Sequence, residues 1–238
     1  MRAASPSDGP PSLLWSSFRR SLTLGRVFIG VGVAYVVVLS AATSFSTRAS
    51  FASSYPLLLP IFAVLGSMGG LMVFTNDRAK GVFEYLIAYG LSPRRLFLNV
   101  LMVSLLLETM MLALILGLGL GIFAVAGGTI TSDLVTALLE YSVPMSYVSA
   151  AFAAIVGMLW TSLSSPRSGL NSPIGFMPFI GIAPSICALV LVAILAVETF
   201  TNAQLFLDVI VAAVGAVVVL LLRLVDRLMP RERLLSPV

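Results

Sequence analysis

Two carboxyl groups interrupt the long apolar runs of this chain, Glu108 within 96–126 and Glu140 within 135–160. Acid–base catalysis needs paired titratable groups brought together at one depth. Read as membrane helices, these runs place Glu108 near the middle of a third span and Glu140 in the outer part of a fourth. That difference weighs against an intramembrane acid–base enzyme, whether hydrolase or lipid transferase. A charge at mid-bilayer costs about 2.5–3.5 kcal/mol on insertion scales, so Glu108 is expected to be protonated, hydrated or paired. Two roles stay open for it: contact with cargo in a central polar cavity, or a neutral acid hydrogen-bonded to a neighbouring helix. Glu140 is expected to snorkel to the outer surface. Both are candidate translocation-pathway residues.

Other chemistries are excluded by composition. The chain has no histidine, which removes bis-histidine haem, histidine-ligated zinc and a serine–histidine dyad. Its one cysteine, Cys187, forms no disulfide within the chain and reads as a small apolar side chain. There is no Gly-x-x-x-x-Gly-Lys-Ser/Thr loop, and Lys80 is the only lysine, so the chain does not hydrolyse ATP by that chemistry. No catalytic residue, cofactor or metal is expected.

The elements that position these groups are helices. Hydrophobic residues make up 59% of the 238-residue chain and charged residues 10%, against roughly 25% charged in soluble proteins; mean hydropathy is +1.07. A bilayer core needs about 20 apolar residues per helix. The runs 27–47, 56–74, 96–126, 135–160, 174–197 and 205–224 meet that need and leave no room for a folded soluble domain. The expected fold is an all-α integral membrane protein with six transmembrane helices. In that reading every lysine and arginine except Arg48 falls on the cytoplasmic side, as basic residues resist translocation. Both termini are then cytoplasmic and the location is the cell membrane. The net charge of +4 reflects topology, not nucleic-acid binding.

Residues 1–12 read as a disordered tail, and 13–238 as one transmembrane domain. In 13–26, Leu14, Trp15, Phe18 and Leu22 share a face opposite Ser16, Arg19, Arg20 and Thr23. This pattern is expected to form an interfacial helix, with Trp15 at headgroup depth and the arginines reaching lipid phosphates. Arg19-Arg20 before an apolar run also faintly suggests a twin-arginine signal, but the run is too long and five more follow. Gly66-Ser67-Met68-Gly69-Gly70 and Gly117-Leu118-Gly119-Leu120-Gly121 are small-residue packing sites, within or between subunits. Pro144, Pro178 and Pro184 are expected to bend spans four and five.

The most specific segment runs from Asn76 to Arg95, between spans two and three. At about 100° per residue, Ala79, Val82, Phe83, Tyr85, Leu86, Ile87 and Tyr89 form an apolar arc. Asp77, Lys80, Gly81, Glu84 and Ala88 oppose it, with Arg78 at the boundary. The pattern predicts a short amphipathic helix over 77–91 at the inner membrane surface. Asp77 suits its N-terminus, Lys80 and Glu84 pair at i,i+4, and Gly90 and Pro93 stop it.

This segment resembles that of the membrane subunits of type-2 ATP-binding-cassette exporters. The family shows an acidic-basic stretch, then Gly-x-x-Glu-x-Leu, a proline turn and basic residues leading into span three. Here stand Asp77-Arg78, Gly81-Val82-Phe83-Glu84-Tyr85-Leu86 and Leu91-Ser92-Pro93-Arg94-Arg95. The local match covers about twenty residues, and the six-span layout extends it. The resemblance implies that this is a cytoplasmic coupling helix docking in an ATPase. Glu84 would couple; Asp77, Arg78, Lys80, Gly81, Leu86, Arg94 and Arg95 would complete the contact. It also implies a separate ATPase subunit carrying ATP and Mg, and a second copy of this chain or a paralogous permease. The brief connection between spans five and six departs from larger members, which place re-entrant helices there. The alternative functions are a membrane scaffold or anchor recruiting a soluble partner, and the less favoured acid–base enzyme.

Overall fold

A computed structural model of the chain describes residues 13–46, 48–163 and 203–228. Every regular element among them is a helix, with no strand. The expected fifth span at 174–197, with Cys187, Pro178 and Pro184, lies outside the described residues, as do the tail 1–12 and the connections around Arg167 and Glu198.

The helices are α1 (Leu13–Ser46), α2 (Arg48–Ala79), α3 (Val82–Ala88), α4 (Pro93–Val125), α5 (Ser132–Ala137), α6 (Val143–Leu163) and α7 (Ala203–Leu228), with a π-helical segment, Leu138–Ser142, joining α5 to α6. Four stretches are long and apolar enough to cross a membrane: Leu13–Ala42, Ser54–Ala79, Pro93–Val125 and Ser132–Leu159. Four such helices mark a multi-pass membrane protein. They cover the first four expected spans, and α7 lies over the expected sixth.

Three expectations are corrected. The surface helix at 13–26 is not a separate element, because α1 is one unbroken helix of 34 residues. Nothing in 13–46 is a proline, and Ser17 and Ser21 are buried. At about 50 Å, the helix exceeds the hydrocarbon core, so its first turns continue the spanning rod. The interval 48–55 between the first two expected spans is not a loop, since α2 begins at Arg48 and contains both Pro56 and Pro60. Finally, the 77–91 helix is divided. Asp77 is in the last turn of α2, Gly81 breaks the chain with φ +69°, and α3 starts only at Val82. Gly81 has no Cβ to oppose the left-handed conformation. Lys80 therefore lies outside α3 and forms no i,i+4 pair with Glu84 along it.

Helix α2 is the centre of the bundle, packing against α1, α4 and α6, while α7 packs on α6. Its glycines explain the close approach. A Cβ on Gly25 would come 2.8 Å from the Gly69 Cα, and one on Gly69 2.9 Å from the Ser21 carbonyl oxygen. A Cβ on Gly66 or Gly70 would run into Met111 or Ser104 of α4. The Gly66–Gly70 stripe thus packs within the chain, on α1 and α4 at once. In the second stripe only Gly119 is enclosed, by Tyr55, whereas Gly117 and Gly121 face open space.

The apolar core has two layers. The inner one joins Met68, Leu71 and Phe74 of α2 to Phe83 and Ile87 of α3, Leu96 to Leu101 of α4, and Ala150 to Met158 of α6. The outer one joins Phe51, Tyr55 and Leu59 to Met111, Ile115, Phe123 and Leu134. Phe51 stacks between Tyr55 and Phe123, at 4.5 and 4.3 Å. The Tyr55 hydroxyl donates to the Ile115 carbonyl at 2.7 Å, satisfying the one polar atom that the ring carries into this layer.

Candidate functional site

The ends of α1, α2 and α4 on the α3 side of the bundle, the inner ends of the expected topology, are tied together by polar contacts. The Arg20 guanidinium donates to the Asp77 carboxylate at 2.7 Å, with side chains 43% and 5% exposed. The Asn99 amide donates to the Ser17 hydroxyl at 3.0 Å. These contacts gather Arg19, Arg20, Arg78, Lys80, Arg94 and Arg95 at one end of the bundle. Asp133, capped into the opposite turn where Thr131 accepts from the Leu134 amide, marks the other end.

Helix α3 lies across the inner end. Phe83 and Ile87, one turn apart, are its buried pair, and the Phe83 ring meets Phe74 of α2 at 5.0 Å. The Gly90 amide donates to the Ile87 carbonyl and the Leu91 amide to that of Leu86, at 3.0 and 3.1 Å. Gly90, at φ +88°, permits this closing turn. Pro93 then begins α4 rather than merely ending α3, and the Ser92 hydroxyl accepts from the Arg95 amide. The hairpin is thereby fixed at both ends to spanning helices.

Its outward face differs from the expected apolar arc. Tyr85 and Tyr89 are 61% and 72% exposed, with ring centroids 4.5 Å apart. A hydrogen bond with Tyr89 raises the pKa of the Tyr85 phenol above its ordinary value. Lys80, Ala88, Arg94 and Arg95 are also exposed, Glu84 and Leu86 are half-buried, and Arg78 is half-buried beside Asp77. Of the residues carried over from the exporter pattern, Asp77 departs most. It is 3% exposed and engaged by Arg20, so it faces into the protein instead of toward a partner.

The two acids in the spans are not brought together. Glu108 is 0% exposed between α2 and α4, with neither carboxyl oxygen hydrogen-bonded. The Ser67 amide faces it outside hydrogen-bonding geometry. Glu140 is exposed on the π-helical segment. Ser142 reaches α2 at Pro56 while Glu108 lies opposite Ser67, and that stretch of α2 is about 16 Å long. Among the described residues, no three acidic or cysteine side chains cluster as metal ligands.

Sequence reasoning missed Arg20 as the partner of Asp77, Ser17 as that of Asn99, and Ser142. Only Ser104, one turn from Glu108 on the same face of α4, carried a readable signal, its i,i+4 spacing. Compared with protein-family models, curated proteins and solved structures, the chain matches none.

Proposed function

We propose that the chain is the six-span permease subunit of a type-2 ATP-binding-cassette exporter, with both termini cytoplasmic. It moves an unidentified substrate outward, using ATP hydrolysed with Mg by a separate ATPase subunit. The observation that supports this most is the mounting of α3. A short rod with two buried anchors, Phe83 and Ile87, is wedged into the packing of α2, α4 and α6, while Tyr85, Tyr89, Lys80, Arg94 and Arg95 face outward. A force applied to the outer face passes to α2 through the Phe83–Phe74 contact, and on into the apolar layer that α2 shares with α4 and α6. In this reading Glu84 and Lys80 meet the ATPase, Asp77 keeps the receiving end of α2 on α1, and Gly81 frees α3 from α2. A second copy of the chain, or a paralogue, completes the pathway.

The test is reconstitution in vesicles with a candidate ATP-binding-cassette ATPase subunit from the same genome, using fluorescent lipid and dye probes for flux. Nucleotide-dependent flux is expected only with both chains, and Glu84→Ala is expected to leave hydrolysis running while flux falls. Binding of the ATPase without flux would leave the chain an anchor. Wild-type flux in the variant would remove Glu84 from the coupling role.

A further inference from the structure

Between the inner and outer apolar layers lies a small polar patch that the permease reading does not use. Helix α4 contributes Ser104 and Glu108, one turn apart on the face toward α2, and both are 0% exposed. Across from them, Gly70 abuts Ser104, while Gly66 abuts Leu107 and Met111. This register sets Ser67, itself 1% exposed, opposite Glu108, with its backbone amide toward the carboxyl. Three oxygen atoms here have no hydrogen-bond partner: both of the Glu108 carboxyl and the Ser104 hydroxyl. The Ser67 hydroxyl donates to the Val64 carbonyl at 2.7 Å, which leaves its own lone pairs as acceptors. Glu108 is about 14 Å further along α4 than Asn99, which marks the inner end.

A carboxylate so enclosed requires a positive counter-charge, and among the described residues no packed element supplies one. On α1 the nearest basic residue in register is Arg26, next to the Gly25 that touches Gly69, but its side chain is exposed on another face. Arg19 lies nearer the inner end, and Arg20 is committed to Asp77. On α2, Asp77 and Arg78 are at the inner end and Arg48 at the outer, and on α4 Arg94 and Arg95 are at the inner end. Helix α6 has no charged residue. The charged residues of α7 (Asp208, Arg223, Asp226 and Arg227) lie in its first two and last two turns. Glu140 adds only negative charge, on a different level.

We propose that Glu108, Ser104 and Ser67 form an intramembrane site that takes up one small cation from solution, a proton or a sodium ion. The donors are all oxygen, the ligand type hard cations prefer. The site lies in the contact between α2 and α4, so its occupancy sets the charge balance of the packing beneath α3. The inference is independent of the exporter reading, since it needs only the burial and lack of partners of these side chains.

The experiment is thermal unfolding of the full chain in lipid nanodiscs, wild type against Glu108→Gln and Ser104→Ala. One series varies pH in choline chloride; the other replaces choline by sodium at fixed pH and ionic strength. A proton is identified if the wild-type folded-to-unfolded ratio falls by up to tenfold per pH unit relative to Glu108→Gln. Sodium is identified if it raises that ratio about a hundredfold at a hundred times its dissociation constant, with no gain in Glu108→Gln. Identical pH profiles for wild type and Glu108→Gln, without a sodium response, would overturn the site. If Glu108→Gln does not fold, infrared spectra of the wild type labelled with carbon-13 at glutamate decide instead. The carboxyl band that Ser104→Ala shifts must change with pH or sodium, and a band fixed under both would equally overturn the proposal.

Discussion

Ser142 and Pro60 are expected to act as one unit, although 82 residues separate them in sequence. Pro60 has no N–H, so the Pro56 carbonyl one turn earlier in α2 loses its normal intrahelical donor. The Ser142 hydroxyl, 0% exposed, donates to that carbonyl at 2.7 Å. It sits at the end of the π-helical segment, just before Pro144, whose ring opposes the carbonyl of Glu140 and favours a wider turn there. Ser142→Ala strands a buried carbonyl, at a cost of about 1–2 kcal/mol. In a Pro60→Ala background the residue-60 amide can reach the same carbonyl, so the hydroxyl becomes dispensable. The coupling between the two substitutions should be about 1 kcal/mol, or about 2–4 °C in melting temperature for a chain of this size. Wild type, both single variants and the double variant are compared by thermal unfolding in one detergent. Equal losses from Ser142→Ala in the two backgrounds would refute the idea that a proline-freed carbonyl is what Ser142 serves.

Three other perturbations follow from the packing. Arg20→Ala abandons a buried carboxylate and should cost about 1–3 kcal/mol, whereas Asp77→Ala releases a half-exposed guanidinium to water and should cost under about 1 kcal/mol; melting of the two variants reverses this order if Asp77 is in fact solvated. Gly70→Ala drives a methyl into Ser104 and should cost about 1–3 kcal/mol, with partial recovery in Gly70→Ala/Ser104→Ala, while Gly121→Ala faces open space and should change melting by less than about 0.5 kcal/mol. In a Cys187→Ser background, Glu84→Cys should react with an impermeant maleimide only from the cytoplasmic side and Asp133→Cys only from outside; labelling of both from one side would break the topology.

Helix existence was legible because an apolar run of spanning length has few other ways to satisfy its backbone in lipid. Boundaries were less so, for reasons visible in particular residues. Pro56, at the start of the expected second span, lies well inside α2, where Ser142 serves the carbonyl that Pro60 leaves without a donor. The amphipathic pattern of 13–26 suggests a helix lying flat, but Arg20 of its polar face is held by Asp77 and Ser17 accepts from Asn99, which tie it to α2 and α4. Glycine at position 81 was assigned to a polar arc, though its lack of a Cβ lets the chain turn there. In the first two cases a contact distant in sequence overrode a pattern that is sound locally; in the third the backbone freedom of one residue did.

The wheel drawn through 77–91 treated Phe83, Ile87, Tyr85 and Tyr89 as one apolar face, yet only the first two are buried. Phenylalanine and isoleucine have no polar atom to satisfy, so they take the places against Phe74 and the α4 core. Tyrosine carries a hydroxyl that prefers an interface, and the two tyrosines are left outside. The outward surface is therefore aromatic and basic, not acidic, because Asp77 has turned inward to Arg20. A soluble partner fitting this surface should offer acidic groups to Lys80, Arg94 and Arg95 and an apolar ledge to the tyrosines. Charge reversal at Arg95 should then weaken ATPase binding at low salt and leave the melting temperature unchanged, since its side chain is exposed. Unaltered binding in that variant would move the docking surface away from α3.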